Sequence, residues 1–125
     1  MIFKEVMVLG KIESANKKFR KELKSGTVAL VLLGVMESEE RPMYGYQITK
    51  HFEAFTEGPE LKMGALYPVL RSLERSGILA SEGEPSISGP PRKYYQLTEA
   101  GRTVLEDWKE AWKETRDFVD DILKG

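Results

Sequence analysis

The stretch Gly64-Ala65-Leu66-Tyr67-Pro68, with Arg92-Lys93-Tyr94-Tyr95-Gln96-Leu97 and Thr98 further on, decides the fold. At 100° per residue, Leu66, Val69, Leu70 and Leu73 gather on one side of a helix running from about Met63 to Ser76. Gly64, Tyr67, Pro68, Arg71 and Arg75 fall on the other side, and Gly77 stops the helix. Ile78–Glu84 reads as a strand, Pro85–Pro91 as a turn and Arg92–Leu97 as the strand's partner. Thr98 is suited to cap a last helix reaching about Leu123. A helix leading into a two-stranded ribbon with a basic, Gly/Pro-rich tip is the layout of a winged helix. Such a module puts the helix into a DNA groove and the wing on the backbone beside it. The expected class is therefore mainly α, an α+β winged helix-turn-helix with a two-stranded wing and a long C-terminal helix.

Working outward, Ile12, Ala15, Phe19 and Leu23 recur at helical spacing inside the basic segment Lys11–Lys24. Ile2–Leu9 either joins that helix or forms a separate one before Gly10. Ser25 is expected to cap a further helix, of which Val28–Met36 is apolar apart from Gly34 and so must be buried on every side. Pro42 closes a polar turn, and Tyr44–Phe55 follows as a helix with Ile48, Phe52 and Phe55 on one face. In the last helix, Val104, Trp108, Ala111, Thr115, Phe118 and Ile122 alternate spacings of four and three, a heptad seam. Leu105, Trp112 and Val119 widen the stripe. A small winged helix has little core left to cover it, so a second copy of the chain is the expected cover. The chain thus divides into an accessory helical segment 1–24, a winged helix-turn-helix DNA-binding domain 25–97 and a dimerisation helix 98–125.

Composition narrows the function. With 125 residues, 41% hydrophobic and 31% charged, the chain fits one globular domain and is too apolar to be disordered. It has no cysteine and one histidine, His51, which excludes disulfides, thiolate chemistry and a multi-His metal site. No apolar run is long enough to span a membrane, and Lys4 and Glu5 interrupt the start, so no signal peptide is expected and the expected location is cytoplasmic. An enzyme lacks the inventory: there is no Gly-rich phosphate loop and no acid/base pair at telling spacing. No cofactor is expected. The net charge of −1 argues against indiscriminate coating of nucleic acid. Its distribution is uneven: +2 over residues 1–42, zero over 43–97 and −3 over 98–125.

The residues expected to meet double-stranded DNA follow from the helix and wing. Gly64 and Ala65 keep the helix N-terminus free of bulk and offer backbone N–H groups to phosphate. Tyr67 can donate its hydroxyl to phosphate or lay its ring on a thymine methyl, and Arg71 and Arg75 can reach phosphate or a guanine edge. Lys62 stands just before the helix. Against this, Arg71 could simply pair with Glu74 on the surface, and Tyr67 could pack between helices. Pro68, read as near the first turn, is expected to set the helix entry. Arg92 and Lys93 place two cations beside the wing tip, for a phosphate or the minor groove, or else guard an edge strand against aggregation. Alternation turns Tyr95 and Leu97 inward. Of Tyr44 and Tyr46, one is expected to touch phosphate, with Tyr44 the candidate, and the other to be core. His51 is expected at the surface. Trp108 and Trp112 fit dimer packing, or alternatively the walls of a slot at the two-fold axis for a small planar aromatic effector.

Tyr44-Gly45-Tyr46-Gln47-Ile48, Gly64-Ala65-Leu66-Tyr67-Pro68, Leu73-Glu74-Arg75-Ser76-Gly77-Ile78 and Gly89-Pro90-Pro91-Arg92-Lys93-Tyr94-Tyr95-Gln96-Leu97-Thr98-Glu99-Ala100-Gly101 resemble the signature of the PadR-like transcriptional regulators over residues 26–112. The resemblance implies a dimeric winged-helix repressor whose third helix reads an inverted-repeat operator. It also implies pairing through the C-terminal helix, often with help from the N-terminal one, and in many members a response to phenolic acids or hydrophobic drugs. Ala65 stands where the family usually has Thr or Ser, and Lys62 and Met63 stand where it often has a capping Ser and a Pro. Residues 1–24 match the family poorly. The competing function is a winged helix used as a protein-interaction module without DNA binding, for which the neutral 43–97 segment leaves room.

Overall fold

In the computed structural model, residues 2–39, 41–53, 63–84, 89 and 92–125 are described. The element order is α1 (Ile2–Ser38), β1 (Met43–Tyr44), α2 (Gly45–Phe52), α3 (Met63–Arg75), β2 (Leu79–Glu84), β3 (Arg92–Leu97) and α4 (Glu99–Leu123). Phe55 and most of the wing tip lie outside the described residues.

α1 corrects the expectation of a break at Ser25. One helix of 37 residues, about 55 Å long at 1.5 Å per residue, runs through Ser25-Gly26. The hydroxyl of Thr27 donates back to the carbonyls of Leu23 (3.1 Å) and Lys24 (3.2 Å), so it reinforces the preceding turn and nothing there needs a cap. A single glycine inside a helix costs only about 1 kcal/mol, and Val28, Leu32, Leu33 and Met36 outweigh that by packing into the core. The segment 1–24 is thus continuous with the first core helix. Ile2–Leu9 belongs to that same helix.

Tyr44 does not open a helix either. It lies in β1 and caps α2, its N–H donating to the Gln47 side chain at 3.1 Å. β1 adds a third strand to the expected pair. The antiparallel order is β1-β3-β2, with Met43 opposite Tyr95, Tyr44 opposite Tyr94, and Leu79 to Glu84 opposite Leu97 to Arg92. α3 matches the expected span, but Pro68 is its sixth residue, beyond the first turn. The helix tolerates the lost N–H bond there because Leu66, Leu70 and Leu73 are anchored in the core.

The core joins every element. Val28, Leu32, Leu33 and Met36 of α1 meet Ile48 and Phe52 of α2, Leu66, Leu70 and Leu73 of α3, Leu79, Tyr95 and Leu97 of the sheet, and Leu105 of α4. Val69 and Trp108 pack against it, half-buried. Beyond Leu105 and Trp108, α4 leaves the core, and from Ala111 onward it is exposed.

The elements are locked where α3, β2 and α4 meet. Gly77, at φ +78°, ends α3: its N–H reaches the Glu74 carbonyl (3.0 Å), and the Ile78 N–H reaches the Leu73 carbonyl (3.0 Å). That is the two-bond Schellman ending, which an L side chain would strain. The Thr98 hydroxyl caps α4 by accepting from the Gly101 N–H (2.9 Å) and donates to the Gly77 carbonyl (2.7 Å). The Thr98 N–H donates to the Ile78 carbonyl (3.1 Å). Gly101 is buried directly against that same carbonyl, with no space for a Cβ. Gly101→Ala must therefore push α4 off the turn. We expect a loss of about 1–3 kcal/mol, as for other overpacked sites, seen as a drop of several degrees in the melting midpoint by circular dichroism.

Candidate nucleic-acid interface

The burial of Leu66, Leu70 and Leu73 fixes which side of α3 faces outward. Ala65, Tyr67, Pro68, Arg71 and Arg75 are all exposed, Tyr67 at 43% of its surface, so Tyr67 does not pack between helices. Gly64 lies in the first turn of α3. Lys62 lies outside the described residues. No ion pair joins Arg71 or Arg75 to another described residue. The expected alternative of an Arg71–Glu74 pair is not formed, because Glu74 has other partners.

Those partners are on the wing. One Glu74 carboxylate oxygen accepts from the Lys93 ammonium at 3.2 Å, and the other accepts from the Ser81 hydroxyl. Lys93 also lies over the Tyr95 ring, 5.6 Å from its centroid. The reason is parity. Lys93 shares a face of β3 with the buried Tyr95 and Leu97, the face turned toward α3, and Arg92 points the other way. The two neighbouring cations are thus not equivalent: Lys93 is paired with a carboxylate, and Arg92 lies over a tyrosine ring.

Arg92 sits with the tyrosines. Its guanidinium lies 4.9 Å from the centroid of the Tyr44 ring. Tyr44 meets Tyr94 edge-on at 5.5 Å and stacks on Tyr46 at 6.4 Å, and Lys50 lies 4.9 Å over Tyr46. The order Arg92, Tyr44, Tyr46, Lys50 makes a ladder of rings with a cation at each end. Tyr44 is half-buried and Tyr46 is 59% exposed, so neither is a core residue, which corrects the expectation for Tyr46. Lys50 is a member that sequence reasoning does not single out. It lies four residues after Tyr46 on α2, and that helical spacing is the one signal that points to it. His51 is exposed, 3.5 Å from Glu39.

Two groups here have shifted ionisation. Hydrogen bonds from Ser81 and then Lys93 hold the Glu74 carboxyl below its ordinary value near 4.5, against a smaller opposing effect of burial. Burial pushes the Tyr95 hydroxyl up, with smaller electrostatic effects of opposing sign from Lys93 and Arg71 on one side and Glu74 and Tyr67 on the other.

Trp108 and Trp112 come together in another place. With Ala111 and Thr115 they form one wall of a cleft of about 460 Å³, and Leu23, Gly26, Thr27 and Leu30 of α1 form the other. The cleft lies between two helices of one protomer, and its volume falls in the range of small-molecule sites, about 300–1,000 Å³. The neighbouring Lys109 ties α4 to α1 through Glu37 at 2.7 Å, and the bonds to Glu37 and Glu106 raise its pKa. Among the described residues no cluster of His, Cys, Asp or Glu is fit to hold a metal ion, and no helix is long and apolar enough to cross a membrane.

A core-anchored helix with an exposed polar face, followed by a ribbon and braced by flanking helices, defines a winged-helix regulator. The chain belongs to the PadR-like family of transcriptional regulators, whose family model matches residues 32–107. It is therefore a transcriptional regulator of that family, a family of regulators and not of enzymes. It is 33% identical to transcriptional regulator Rv3488 of Mycobacterium tuberculosis over 75 residues, 60% of this chain and 67% of that one. Among solved structures it resembles a PadR family regulator from Eggerthella lenta, with a TM-score of 0.72, 33% identity and coverage of 94% of this chain and 96% of the other. It also resembles a PadR-like regulator from Bacillus cereus, with a TM-score of 0.68 and 28% identity over 83% of this chain and 98% of the other.

The Glu74 shift has a definite consequence with pH. A carboxyl whose folded pKa is depressed contributes stability above its unfolded value and loses it as pH falls through the folded one. The unfolding free energy of the parent protein from urea titration should therefore exceed that of Glu74→Gln at pH 7 by a margin within the roughly 0–1 kcal/mol range of partly exposed pairs. The margin should shrink as pH falls below about 4.5 and vanish once the folded carboxyl is protonated. Parallel curves across that window would contradict the assignment.

Proposed function

We propose that this protein is a dimeric PadR-like repressor, acting in the cytoplasm, that reads an inverted-repeat operator in double-stranded DNA with α3 and is released by a small aromatic effector. The observation that carries the reading is the exposed face of α3. Its backbone is held by three buried leucines, while Ala65, Tyr67, Arg71 and Arg75 stand clear of the core. Gly64 and Ala65 let the first turn approach phosphate closely. Tyr67, Arg71 and Arg75 reach bases and backbone, and Lys62 adds a cation by its position in sequence. Arg92 supplies the wing contact, and Tyr44 supports it beside the sheet. In this division residues 25–97 read DNA, 98–125 pair the protomers and 1–24 brace the pair.

Dimerisation is supported by unpartnered apolar surface. On α4, Trp112, Phe118, Val119, Ile122 and Leu123 are exposed, and on α1 so are Ile2, Phe3, Leu9, Ile12, Phe19 and Leu23. Patches of that kind mark interaction surfaces. Charge agrees with a second copy as the cover. Residues 2–24 carry seven basic and three acidic side chains, whereas α4 carries eight acidic and four basic ones, so the two helices attract across an interface. The cleft walled by Trp108 and Trp112 suits a planar apolar ligand. An occupant there wedges α1 from α4 and alters the spacing of the paired reading helices, which couples effector to operator. The alternative, a winged helix that binds protein and not DNA, is favoured only by the zero net charge of residues 43–97.

In light scattering the chain should run at twice its 14.2 kDa mass, and Phe118→Glu should return it to a monomer. Arg71→Ala should weaken operator binding by about 1–3 kcal/mol if it reads a base, or flatten the salt dependence by about one unit if it holds phosphate. A protein-binding module would show no duplex affinity to lose. Planar aromatic compounds should quench tryptophan emission and release operator together, and Trp112→Ala should abolish both effects.

A further inference from the structure

We propose that Glu74 is a positioning residue that bridges the reading helix to the wing and holds Lys93 out of contact with phosphate, leaving Arg92 as the wing's cation toward DNA. The inference rests on the DNA-reading function proposed above and deepens it.

The geometry is that of a three-way tie. Glu74 stands in the last turn of α3, three residues beyond Arg71 on the sequence. Its two carboxylate oxygens are divided between both strands of the wing: the Ser81 hydroxyl on β2 and the Lys93 ammonium on β3. Ser81 and Tyr95 are directly opposite each other across the ladder, and Lys93 precedes Tyr95 by one pleat on the same face. The carboxylate therefore sits over the root of the wing and fixes its angle to the helix that reads the groove. Lys93 has two attractions to give up before it can reach a phosphate, the carboxylate at 3.2 Å and the Tyr95 ring at 5.6 Å. Arg92, on the opposite face of the strand, lies over the Tyr44 ring and has no carboxylate partner among the described residues.

Charge gives this arrangement an observable. Each phosphate neutralised by a protein cation releases counterions and adds about 0.9 to the slope of log affinity against log salt. A lysine already neutralised by a carboxylate adds nothing. The Glu74 carboxylate is charged at neutral pH, and its lowered pKa extends that range toward acid, so the compensation persists there. Stability is not the main yield, because a partly exposed pair contributes little. The yield is a fixed wing and a basic surface one charge smaller than the sequence suggests.

The test uses the full-length protein and a mixed-sequence duplex of about three helical turns, with affinity measured from low to moderate salt. Arg92→Ala should flatten the slope by about 0.9 for each phosphate that Arg92 neutralises. Lys93→Ala should leave the slope unchanged. Glu74→Gln, which keeps the shape and a bond to Ser81, should free Lys93 and steepen the slope by about the same increment, and adding Lys93→Ala should cancel that gain. Lys93→Ala flattening the slope as Arg92→Ala does, or Glu74→Gln leaving it unchanged, would overturn the proposal. If the parent protein binds no duplex at any salt, the DNA-reading function fails, and the bridge is judged separately by hydrogen exchange. Glu74→Gln should speed exchange of the β2 and β3 amides, and unchanged exchange would refute the bridge itself.

Discussion

α3, the wing and α4 are joined at one carbonyl. The oxygen of Ile78 receives the Thr98 N–H, and Gly101 packs against it so closely that no side chain fits. Three elements converge at that oxygen: the end of α3, the first residue before the wing and the first turn of α4. At that point they are joined by backbone groups, which have little freedom to move, and the Glu74 carboxylate adds a side-chain tie between α3 and the wing. α3, the wing and α4 are thereby referred to one point. Small errors of angle at such a root would grow along each helix, so a junction of backbone groups limits them where they matter most.

The two faces of β3 divide the polar work. One face carries Lys93, Tyr95 and Leu97 toward α3, and there Glu74 gathers the polar groups into a closed set. The other carries Arg92 and Tyr94 toward Tyr44, where cations and rings alternate. A single strand thus presents a neutral face to its own helix and a cationic face away from it. The alternation of β structure is sufficient cause.

Much of this is legible in local pattern. The helical period of Leu66, Leu70 and Leu73, the stop at Gly77, the strand Arg92–Leu97 and the cap at Thr98 all appear where that pattern puts them. Each is a short-range effect, governed by φ/ψ preference or by burial of one face. The departures share a different origin. Ser25 has the chemistry of a cap, yet α1 continues because packing of its distal half against distant strands and helices holds the whole helix together. Tyr44 has no local mark of a strand, and it pairs only because Tyr94 is brought alongside, fifty residues later. Pro68 lies beyond the first turn of a helix whose start the sequence placed correctly, and α3 runs on through it because Leu66, Leu70 and Leu73 are buried on its other side.

The sequence alone therefore determined the class of fold, the family signature and the outward residues of α3, since all of these follow from period, turn chemistry and charge over short stretches of chain. Tertiary structure alone decided which cation of the Arg92-Lys93 pair is compensated, that Tyr44 and Tyr46 stack into one ladder, and that Trp108 and Trp112 wall a cleft with α1. Those outcomes need groups far apart in the chain to meet within a few ångströms, and the meeting is set by how the core closes, which no local pattern encodes.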